Sequence, residues 1–306
     1  KLSSIGVKMN KLPNFFCVGA QKAGTTTLHD ILKQDENIYM PEIKETKFFL
    51  DEGQYKKGRR YYCDTYYSNV ATEALVGEID PENMYVDYIP QRIYETLGCD
   101  IKIIFMLRNP VDRAFSHYQM SSRRGREDLS FYDAVDAEET RLKSKDFKLR
   151  YKSSSLNYSY IDRGHYSSLI KKYLEFFPIE NMHFILFEDE FLKNKENTID
   201  DLYSFLGIVR DKNVQINLKS NIATEPRVKA LNKLIHSGGV IKKIAHVIVP
   251  SAFKKALKNF LIGINSRVVS DKERSFDKTA FMNKYYRESN KELEVLIGKE
   301  IPSWKI

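Results

Sequence analysis

Cysteine is scarce in this chain. Among 306 residues there are three, Cys17, Cys63 and Cys99, and no two of them form a C-x-x-C pair. Cysteines so few and so spaced exclude a disulfide framework and a cysteine-based zinc site. Cys17 lies in an apolar run, where a thiol behaves as a small hydrophobic side chain. This cysteine usage predicts a reducing, cytoplasmic location.

Long apolar runs are also absent. No stretch of eighteen or more apolar residues occurs, and a membrane-spanning helix needs about twenty, so no transmembrane segment is expected. The first residues, KLSSIGVKMNKL, lack the apolar region of a secretory signal. Because the sequence does not begin with Met, it leaves open whether a leader or anchor was removed. Peripheral contact with a membrane surface stays compatible with the sequence.

The chain shows no internal repeat, low-complexity tract or interdomain linker. A length of 306 residues is compatible with one large α/β domain or with two small ones. We therefore predict a single domain over 1–306, with an α/β core at 12–220 and a helical part at 221–306.

Four short apolar runs are typical of strands covered on both faces of a parallel sheet. They are Phe15–Val18, Leu75–Ile79, Ile101–Leu107 and Met182–Phe187. Helical patterns separate these runs. Strands that alternate with helices predict an α/β fold with a parallel central sheet flanked by helices.

Several helices are predicted from their end signals and periodicity. Asn109 is suited to cap a helix whose first turn contains Pro110. A helix over Asp200–Leu206 should end at Gly207. Further helical patterns cover Phe131–Leu142, Pro226–Val269 and Phe281–Ile297, the last followed by Gly298.

The net charge of +8 favours an anionic partner, whether a nucleotide, an acidic glycan, a membrane surface or nucleic acid. Many lysines lie in the predicted helical range near the C-terminus: Lys229, Lys233, Lys242, Lys243, Lys254, Lys255 and Lys258. Two interpretations stay open. The lysines form either a solvated basic face or a surface that receives an anionic acceptor or lipid headgroups.

The segment FFCVGAQKAGTTTLHDIL, Phe15–Leu32, combines a strand, a glycine-containing loop and the start of a helix. The N–H groups and dipole of a helix N-terminus attract phosphate at such a junction. Two glycines have the spacing of the triphosphate signature G-x-x-x-x-G-K-[ST], but Thr25 replaces its lysine. Lys22 supplies positive charge from within the loop instead. The candidate phosphate-binding residues are Gly19, Gln21, Lys22, Ala23, Gly24, Thr25, Thr26 and Thr27.

VGAQKAGTTTL resembles the 5′-phosphosulfate loop of sulfotransferases that use 3′-phosphoadenosine 5′-phosphosulfate (PAPS). IIFMLRNPVDRAFSHY resembles the second element of that family, in which an arginine and a serine bind the 3′-phosphate of the donor. The resemblance maps these roles onto Arg108 and Ser116. An arginine can hold a phosphate through two hydrogen bonds, and a hydroxyl at helical spacing can add another.

Two further segments resemble the same family. DRGHY, with Arg163, Gly164 and Tyr166, is similar to an R-G-x-Y pattern that lies near the nucleotide in carbohydrate sulfotransferases. NIATEPRVKAL, with Arg227 and Lys229, lies where family members carry a basic loop that closes over the donor. The resemblance therefore implies that Tyr166 and Arg227 take part in binding the donor.

MPEIKETKFFL resembles the K-E-x-[HK]-F-F element of heparan-type and many bacterial sulfotransferases, in which the glutamate is the catalytic base. That glutamate is Glu45, which forms the implied catalytic pair with Lys22. Lys44 and Lys47 flank Glu45, and nearby positive charge favours its ionised form. In several family members a histidine occupies the position of Lys47.

Other residues near these motifs have open assignments. His29 or His117 is an alternative base, since cytosolic small-molecule sulfotransferases use a histidine. Glu78, at a strand end, is expected either to orient the site or to contact the acceptor. Ile79 stands where heparan-type enzymes carry a lysine, which argues against a heparan-like acceptor but not against transfer. Glu188 is expected to be structural.

The resemblance covers most of the chain and implies a PAPS-dependent sulfotransferase. Such an enzyme releases 3′-phosphoadenosine 5′-phosphate (PAP) and needs no metal. Its acceptor is expected to be a carbohydrate, a lipid such as a glycolipid, or another small molecule. The choice between O- and N-sulfation and the oligomeric state stay open.

Two alternative classes of protein are less compatible with the sequence. A P-loop kinase is weakened by Thr25 and by the lack of a second motif for Mg²⁺. A basic protein that binds nucleic acid or a membrane surface would use the lysine-rich segment at 229–258. No nucleic-acid-binding module matches, so no nucleic-acid partner is expected.

Overall fold

The computed structural model describes residues 12–71, 73–150, 154–218, 224–226, 266–268 and 276–305. The chain divides into two compact units. The first unit consists of Lys1–Asn109, His165–Lys219 and Glu288–Ile306, and the second of Pro110–Gly164 and Ser220–Arg287. The single domain over 1–306, with parts at 12–220 and 221–306, stays a prediction.

Five parallel strands form the sheet in the described residues of the first unit. They are β1 (Phe15–Gly19), β2 (Ile38–Tyr39), β3 (Leu75–Ile79), β4 (Lys102–Leu107) and β5 (Met182–Leu186). Their order is β2-β3-β1-β4-β5, and every neighbouring pair is parallel. Successive strands are added first on one side of β1 and then on the other. Ligands bind outside the carboxyl ends of the strands at such a reversal. The predicted α/β fold is confirmed.

The described helices are, in chain order, α1 (Thr25–Leu32), α2 (Glu52–Tyr55), α3 (Gly58–Tyr66), α4 (Ile89–Leu97), α5 (Pro110–Arg123), α6 (Phe131–Asp136), α7 (Glu138–Lys143), α8 (Lys145–Arg150), α9 (Ser154–Tyr158), α10 (Tyr166–Leu174), α11 (Lys195–Leu206), α12 (Lys278–Phe281) and α13 (Arg287–Ile297). Short 3₁₀ turns lie at Asp162–Gly164, Ile179–Asn181 and Pro302–Trp304, and π-helical turns at Phe187–Leu192 and Met282–Tyr286. Within the described ranges, no helix is both long and apolar enough to cross a membrane.

The predicted helix start at Pro110 and the predicted helix end at Gly207 are confirmed. α5 begins at Pro110. α11 ends at Leu206, and Gly207 follows with a φ of 87°, the left-handed conformation that ends many helices. This helix begins at Lys195, earlier than its periodicity predicted.

The predicted helix over Phe131–Leu142 is instead two helices, α6 and α7, which meet at Ala137. Glu138 at the start of α7 is buried and accepts hydrogen bonds from the N–H groups of Ile161 and Asp162 at 2.8 and 2.9 Å. Helical periodicity carries no information about a contact between residues so far apart in the chain.

The predicted helical range Pro226–Val269 is wrong at both ends. β6 (Thr224–Pro226) and β7 (Ser266–Val268) pair as antiparallel strands. A local pattern cannot reveal this pairing, because the partners are distant in sequence. The lysines at 229–258 lie outside the described residues. In the predicted C-terminal helix, a π-helical turn separates α12 from α13, and Gly298 follows with a φ of 63°.

Aromatic rings build the core of the second unit. The ring of Phe115 on α5 lies 5.2 Å from those of Phe131 and Phe276. The Phe131 ring stacks on that of Phe281 at 5.5 Å. These contacts join α5, α6 and α12 through apolar surface removed from water.

The core of the first unit is built on β1, which is buried along its whole length. The Phe15 ring fills the space over Gly77 in β3, where a Cβ would lie only 2.0 Å from Phe15 Cζ. The register pairs Phe15 with Gly77 directly. A large side chain on one strand is therefore accommodated by the absence of one on its neighbour.

A carboxylate, Glu78, is buried in the same sheet, paired with Phe16 in the register of β1 and β3. Its Oε2 accepts hydrogen bonds from the hydroxyls of Tyr62 and Tyr67, and its Oε1 accepts one from the hydroxyl of Thr46. Burial raises the pKa of Glu78 to about 7, although these three hydroxyl groups act in the opposite direction. Glu78 is fully buried, which disfavours direct contact with an acceptor, and its role in orienting the site stays a prediction.

Replacing Gly77 by Ala is expected to lower the free energy of unfolding by about 1–3 kcal/mol, the usual effect of overpacking. The added methyl group would collide with the Phe15 ring. Chemical denaturation measures the change. Gly53→Ala in α2 is the control, because its Cβ would approach no atom closer than 3.2 Å. Equal losses in the two variants would contradict this account.

Wild type and Glu78→Gln should differ in the pH dependence of stability. Because the folded-state pKa of Glu78 lies above its ordinary value of 4.5, its stabilising contribution is complete below that value and is lost as pH rises through about 7. The free energy of unfolding of wild type, relative to the variant, should fall by about 3 kcal/mol over that rise. Denaturation at several pH values measures this fall. If the free energy of unfolding changes with pH equally in wild type and variant, the raised pKa of Glu78 is refuted.

Candidate active site

The loop between β1 and α1 leaves the carboxyl end of the central strand. The Ala20 N–H donates to Met106 O on β4 at 2.7 Å, which ties the loop to the sheet. Lys22 and Gly24 have φ values of 74° and 89°, in the left-handed region that favours glycine. A Cβ at position 24 would lie 2.7 Å from the Phe187 ring, so both the backbone and the available space require glycine there.

The first turn of α1 faces this loop, and no side chain caps the helix N-terminus. Its N–H groups and the helix dipole provide the usual setting for a phosphate. The predicted loop residues run from Gly19 at the end of β1, through the loop, to the first turn of α1. Gly19, Ala23 and Thr25 are buried, Gln21, Lys22, Gly24 and Thr27 are half-buried, and Thr26 is exposed.

Arg108, at the end of β4, contacts the loop directly. Its Nη1 donates a hydrogen bond to Lys22 O at 2.9 Å, and its guanidinium lies 5.4 Å from the centre of the Phe187 ring. The side chain is half-buried, and its Nε is 3.9 Å from Glu188 Oε1. The structure therefore brings Lys22 and Arg108 together, two residues 86 positions apart in the chain.

Glu188 and Tyr166 hold the backbone around Arg108. Both carboxylate oxygens of Glu188 accept from the Asn109 N–H at 3.1 Å, and Oε2 accepts from Trp304 Nε1 at 3.1 Å. Burial raises the pKa of Glu188, opposed by these hydrogen bonds. The Tyr166 hydroxyl donates to Arg108 O at 2.9 Å, and its side chain is buried. These contacts agree with the structural role predicted for Glu188, and a direct contact between Tyr166 and the donor stays a prediction.

The remaining predicted donor residues lie elsewhere in the chain. Ser116 is half-buried on α5 in the second unit. Arg163 and Gly164 belong to the same unit and are buried, and Arg163 Nε donates to Ser159 Oγ at 3.1 Å. Arg227 lies outside the described residues. The roles of Ser116 and Arg227 in binding the donor stay predictions.

Glu45 is held between two ammonium groups. Its Oε1 lies 2.9 Å from Lys44 Nζ and its Oε2 lies 3.0 Å from Lys47 Nζ. Burial alone would raise the pKa of Glu45, but the two lysines outweigh it and lower the pKa. The carboxylate is about one-third exposed, so it is ionised and still accessible from solvent. The predicted effect of Lys44 and Lys47 is confirmed.

The backbone of this segment is strained at two positions. Glu45 and Lys47 have φ values of 64° and 60°. A left-handed conformation costs about 1–2 kcal/mol for a residue with a Cβ. Such a conformation persists only where its surroundings over-determine it.

Lys47 connects the Glu45 segment to the phosphate loop. Its Nζ lies 2.8 Å from Asp80 Oδ1 and 3.2 Å from Glu82 Oε2, and Glu82 Oε1 accepts a hydrogen bond from Gln21 Nε2 at 3.3 Å. Burial opposes the charge of the ammonium, but the three carboxylates raise the pKa of Lys47 above its ordinary value. Contacts therefore run without a break from Gln21 in the loop to Glu45.

Asp80 and Glu82 are functional candidates that the sequence analysis missed. They follow Glu78 at alternate positions in GEIDPEN, directly after β3. Because β3 pairs with β1, carboxylates at this strand end necessarily lie near the phosphate loop. Alternating acidic residues after a buried strand were the available signal.

Neither candidate histidine is placed as an accessible base. His29 on α1 is buried, with Nδ1 3.1 Å from Asp30 Oδ1, and burial lowers its pKa. His117 on α5 is fully buried, with its ring 5.1 Å from that of Tyr160. Their burial favours Glu45 over either histidine as the group that meets an acceptor.

Comparisons with known proteins find similar chains. The solved structure of a sulfotransferase from Alicyclobacillus acidocaldarius superposes with a TM-score of 0.63 at 27% identity, covering 96% of this chain and 99% of that one. The human bifunctional heparan sulfate N-deacetylase/N-sulfotransferase 3 is 27% identical over 315 aligned residues, which cover 96% of this chain and 31% of the relative. The membrane-associated sulfotransferase kil1 of Dictyostelium discoideum is 32% identical over 116 residues, 37% of this chain and 24% of the relative.

The chain spans less than a third of the length of these two curated relatives. The family model of the sulfotransferase domain matches residues 12–246, most of the chain. That range includes the phosphate loop, the Glu45 segment and Arg108. The chain belongs to the sulfotransferase family.

Proposed function

We propose that this chain transfers the sulfuryl group of PAPS to a hydroxyl or amino group of an acceptor, with a carbohydrate or glycolipid as the preferred class. The observation that carries the proposal is the unbroken set of contacts from the phosphate loop to Glu45. Gln21, Glu82 and Lys47 are its members. A phosphate-binding turn and a candidate base therefore form one connected site, as a transfer reaction requires.

The charges around the loop fit the donor. PAPS carries one phosphate next to the transferred group and a second phosphate on its ribose. Lys22 and Arg108 provide two cations at adjoining positions, since Arg108 Nη1 contacts the backbone of Lys22. The uncapped first turn of α1 provides N–H donors beside them. Ser116, Tyr166 and Arg227 are proposed to complete the donor site.

In the proposed reaction, the acceptor oxygen or nitrogen forms a bond to sulfur as the bond between sulfur and the 5′-phosphate oxygen breaks. Glu45 accepts the proton of the attacking group. The electron pair of the broken bond goes to the phosphate oxygen of PAP. Lys22 offsets the negative charge that develops there. The base and the cation thus act at opposite ends of one in-line displacement.

Two lysines hold Glu45 ready for this role. Their positive charge keeps the carboxylate ionised at neutral pH, and their ion pairs restrict its orientation. A base already ionised and positioned needs no reorganisation when an acceptor arrives.

Relatives support a carbohydrate acceptor. The human relative is named for N-sulfation of heparan sulfate. Ile79 in place of the lysine expected of heparan-type enzymes favours a different glycan or a glycolipid here. A cytoplasmic location and independence from a metal remain part of the proposal.

Isothermal titration calorimetry should show that PAP binds at least about tenfold more tightly than ATP with Mg²⁺, a difference of about 1.4 kcal/mol. The reason is that Lys22 lies within the loop, whereas Thr25 occupies the position of the lysine that reaches the outer phosphates of ATP. Preference for ATP–Mg²⁺ would instead support a kinase. Transfer of labelled sulfate from PAPS to a panel of glycans, glycolipids and phenols would then identify the acceptor.

Glu45→Gln should lower kcat by about 10²–10⁴-fold, the usual contribution of a general base. Its affinity for PAP should stay within about threefold, or about 0.6 kcal/mol, because Glu45 acts on the acceptor. Glu42→Gln is the matched control, an exposed carboxylate three positions earlier in the same segment. Full activity in Glu45→Gln would exclude it as the base.

Lys22→Ala should lower kcat by about 10²–10³-fold, as loss of one group that stabilises a developing anion does elsewhere. Arg108→Ala should weaken PAP binding, since it removes a cation adjoining the loop. Kinetics of sulfate transfer and calorimetry with PAP separate the two effects. Lys33→Ala, at the exposed end of α1, is the control for a general effect of charge. Wild-type behaviour of both Lys22→Ala and Arg108→Ala would refute the assignment of the donor site.

A further inference from the structure

Thr46 is the centre of the strained segment that carries the candidate base. It lies between Glu45 and Lys47, the two residues with left-handed backbone conformations, and its own side chain is buried. On either side of Thr46, the side chains of Glu45 and Lys47 form an ion pair at 3.0 Å.

The Thr46 hydroxyl is fixed on both sides. It donates a hydrogen bond to Glu78 Oε1 on β3 and accepts one from the Phe48 N–H at 3.2 Å. The Thr46 carbonyl also accepts from the Tyr66 hydroxyl at 3.4 Å. The segment is therefore attached to the sheet through a buried side chain at its middle residue.

Glu78 has the geometry of an anchor rather than of a group that meets substrate. It is fully buried, and its other oxygen accepts from the hydroxyls of Tyr62 and Tyr67, the latter at 2.7 Å. With Oε2 held by two tyrosines, Oε1 is aimed at Thr46. An apolar residue at position 78 would avoid burying a charge but would provide no acceptor for the threonine hydroxyl.

The end of β3 holds Lys47 as well. Asp80, two positions after Glu78, accepts from the Lys47 N–H at 3.3 Å and from its Nζ at 2.8 Å. Asp80 directly follows the end of β3, and Glu78 and Asp80 both present carboxylates to the Thr46–Lys47 segment. They accept hydrogen bonds from the consecutive residues Thr46 and Lys47, which immediately follow the candidate base.

We propose that Glu78 is a positioning residue for sulfuryl transfer, acting through the Thr46 hydroxyl to set the backbone that aims Glu45 at the acceptor. The proposal rests on the proposed role of Glu45 as base. It assigns a catalytic consequence to a carboxylate that touches neither donor nor acceptor. Loss of the Thr46–Glu78 hydrogen bond releases the strained backbone on both sides of Thr46 and with it the orientation of Glu45.

Two variants at Thr46 and a control at Tyr67 test this role in transfer assays with PAPS. Thr46→Val keeps the shape of the side chain but removes the hydroxyl, and it should lower kcat by about tenfold to a hundredfold, as small misplacements of reacting groups do. Its KM for PAPS and its affinity for PAP should stay within about threefold of wild type. Thr46→Ser restores the hydroxyl and should restore kcat to within about threefold.

Tyr67→Phe is the matched control. It also removes one hydroxyl donor from Glu78, with a similar expected loss of thermal stability, but leaves the hydrogen bond to Thr46 in place. Its kcat should stay within about threefold of wild type. Equal losses of kcat in Thr46→Val and Tyr67→Phe would reduce Glu78 to a purely structural role and overturn the proposal.

Failure of this proposal is distinguishable from failure of the proposed function. If Glu45→Gln abolishes transfer while Thr46→Val transfers normally, Glu45 is the base and Glu78 does not position it. If Glu45→Gln transfers normally, the base assignment fails, and the positioning role fails with it. A fall in kcat in both Glu45→Gln and Thr46→Val but not in Tyr67→Phe, with recovery in Thr46→Ser, supports both.

Discussion

Parallel pairing of β1 with β3 on one side and with β4 on the other is the constraint on which the rest of the candidate site depends. Three consecutive strands of the sheet end at the same edge. β1 leads into the phosphate loop, β3 into Asp80 and Glu82, and β4 into Arg108. Because strand ends in a parallel sheet are fixed by backbone hydrogen bonds, the charged groups that follow them are placed within reach of each other. The site is thus a consequence of strand order.

Charge compensation gives this edge its internal structure. Lys47 lies against Glu45, Asp80 and Glu82, so its ammonium group offsets part of the repulsion among three carboxylates. The same contacts connect the base segment to the phosphate loop through Gln21. Lys22 and Arg108 form the cationic part of the site, where an anionic donor is expected.

Local patterns predicted the features that depend on neighbouring residues. The continuous apolar runs located four of the five strands of the parallel sheet. Gly207 and Gly298 marked the ends of two helices. The missed strand, β2, has only two residues, too few to form a pattern. The predictions of one helix over Phe131–Leu142 and of a helical range over Pro226–Val269 failed for another reason. Contacts with residues distant in sequence override helical propensity at those places.

Candidate residues could be named from motifs, but their working partners could not. Lys22 was found from the glycine loop, and the roles of Glu45 and Arg108 were implied by the resemblance of their segments to sulfotransferase elements. Thr46 was not recognised, the acidic pattern that contains Asp80 was overlooked, and Glu78 was recognised only as a strand end with two alternative roles. Their importance arises from hydrogen bonds between a loop and β3, 32 or 33 positions apart.

The sequence by itself determined the parallel α/β class and the glycine loop with its internal lysine. These follow from periodicity, glycine spacing and residue type, which are properties of adjacent residues. The candidate base, Glu45, was implied only by the resemblance of its segment to a sulfotransferase element. Only the tertiary structure decided that Arg108 contacts the loop, that Lys47 joins the loop to Glu45, and that the Tyr166 side chain lies buried behind Arg108. Those facts depend on which strands pair, because pairing sets the distances at which charges and hydrogen bonds act.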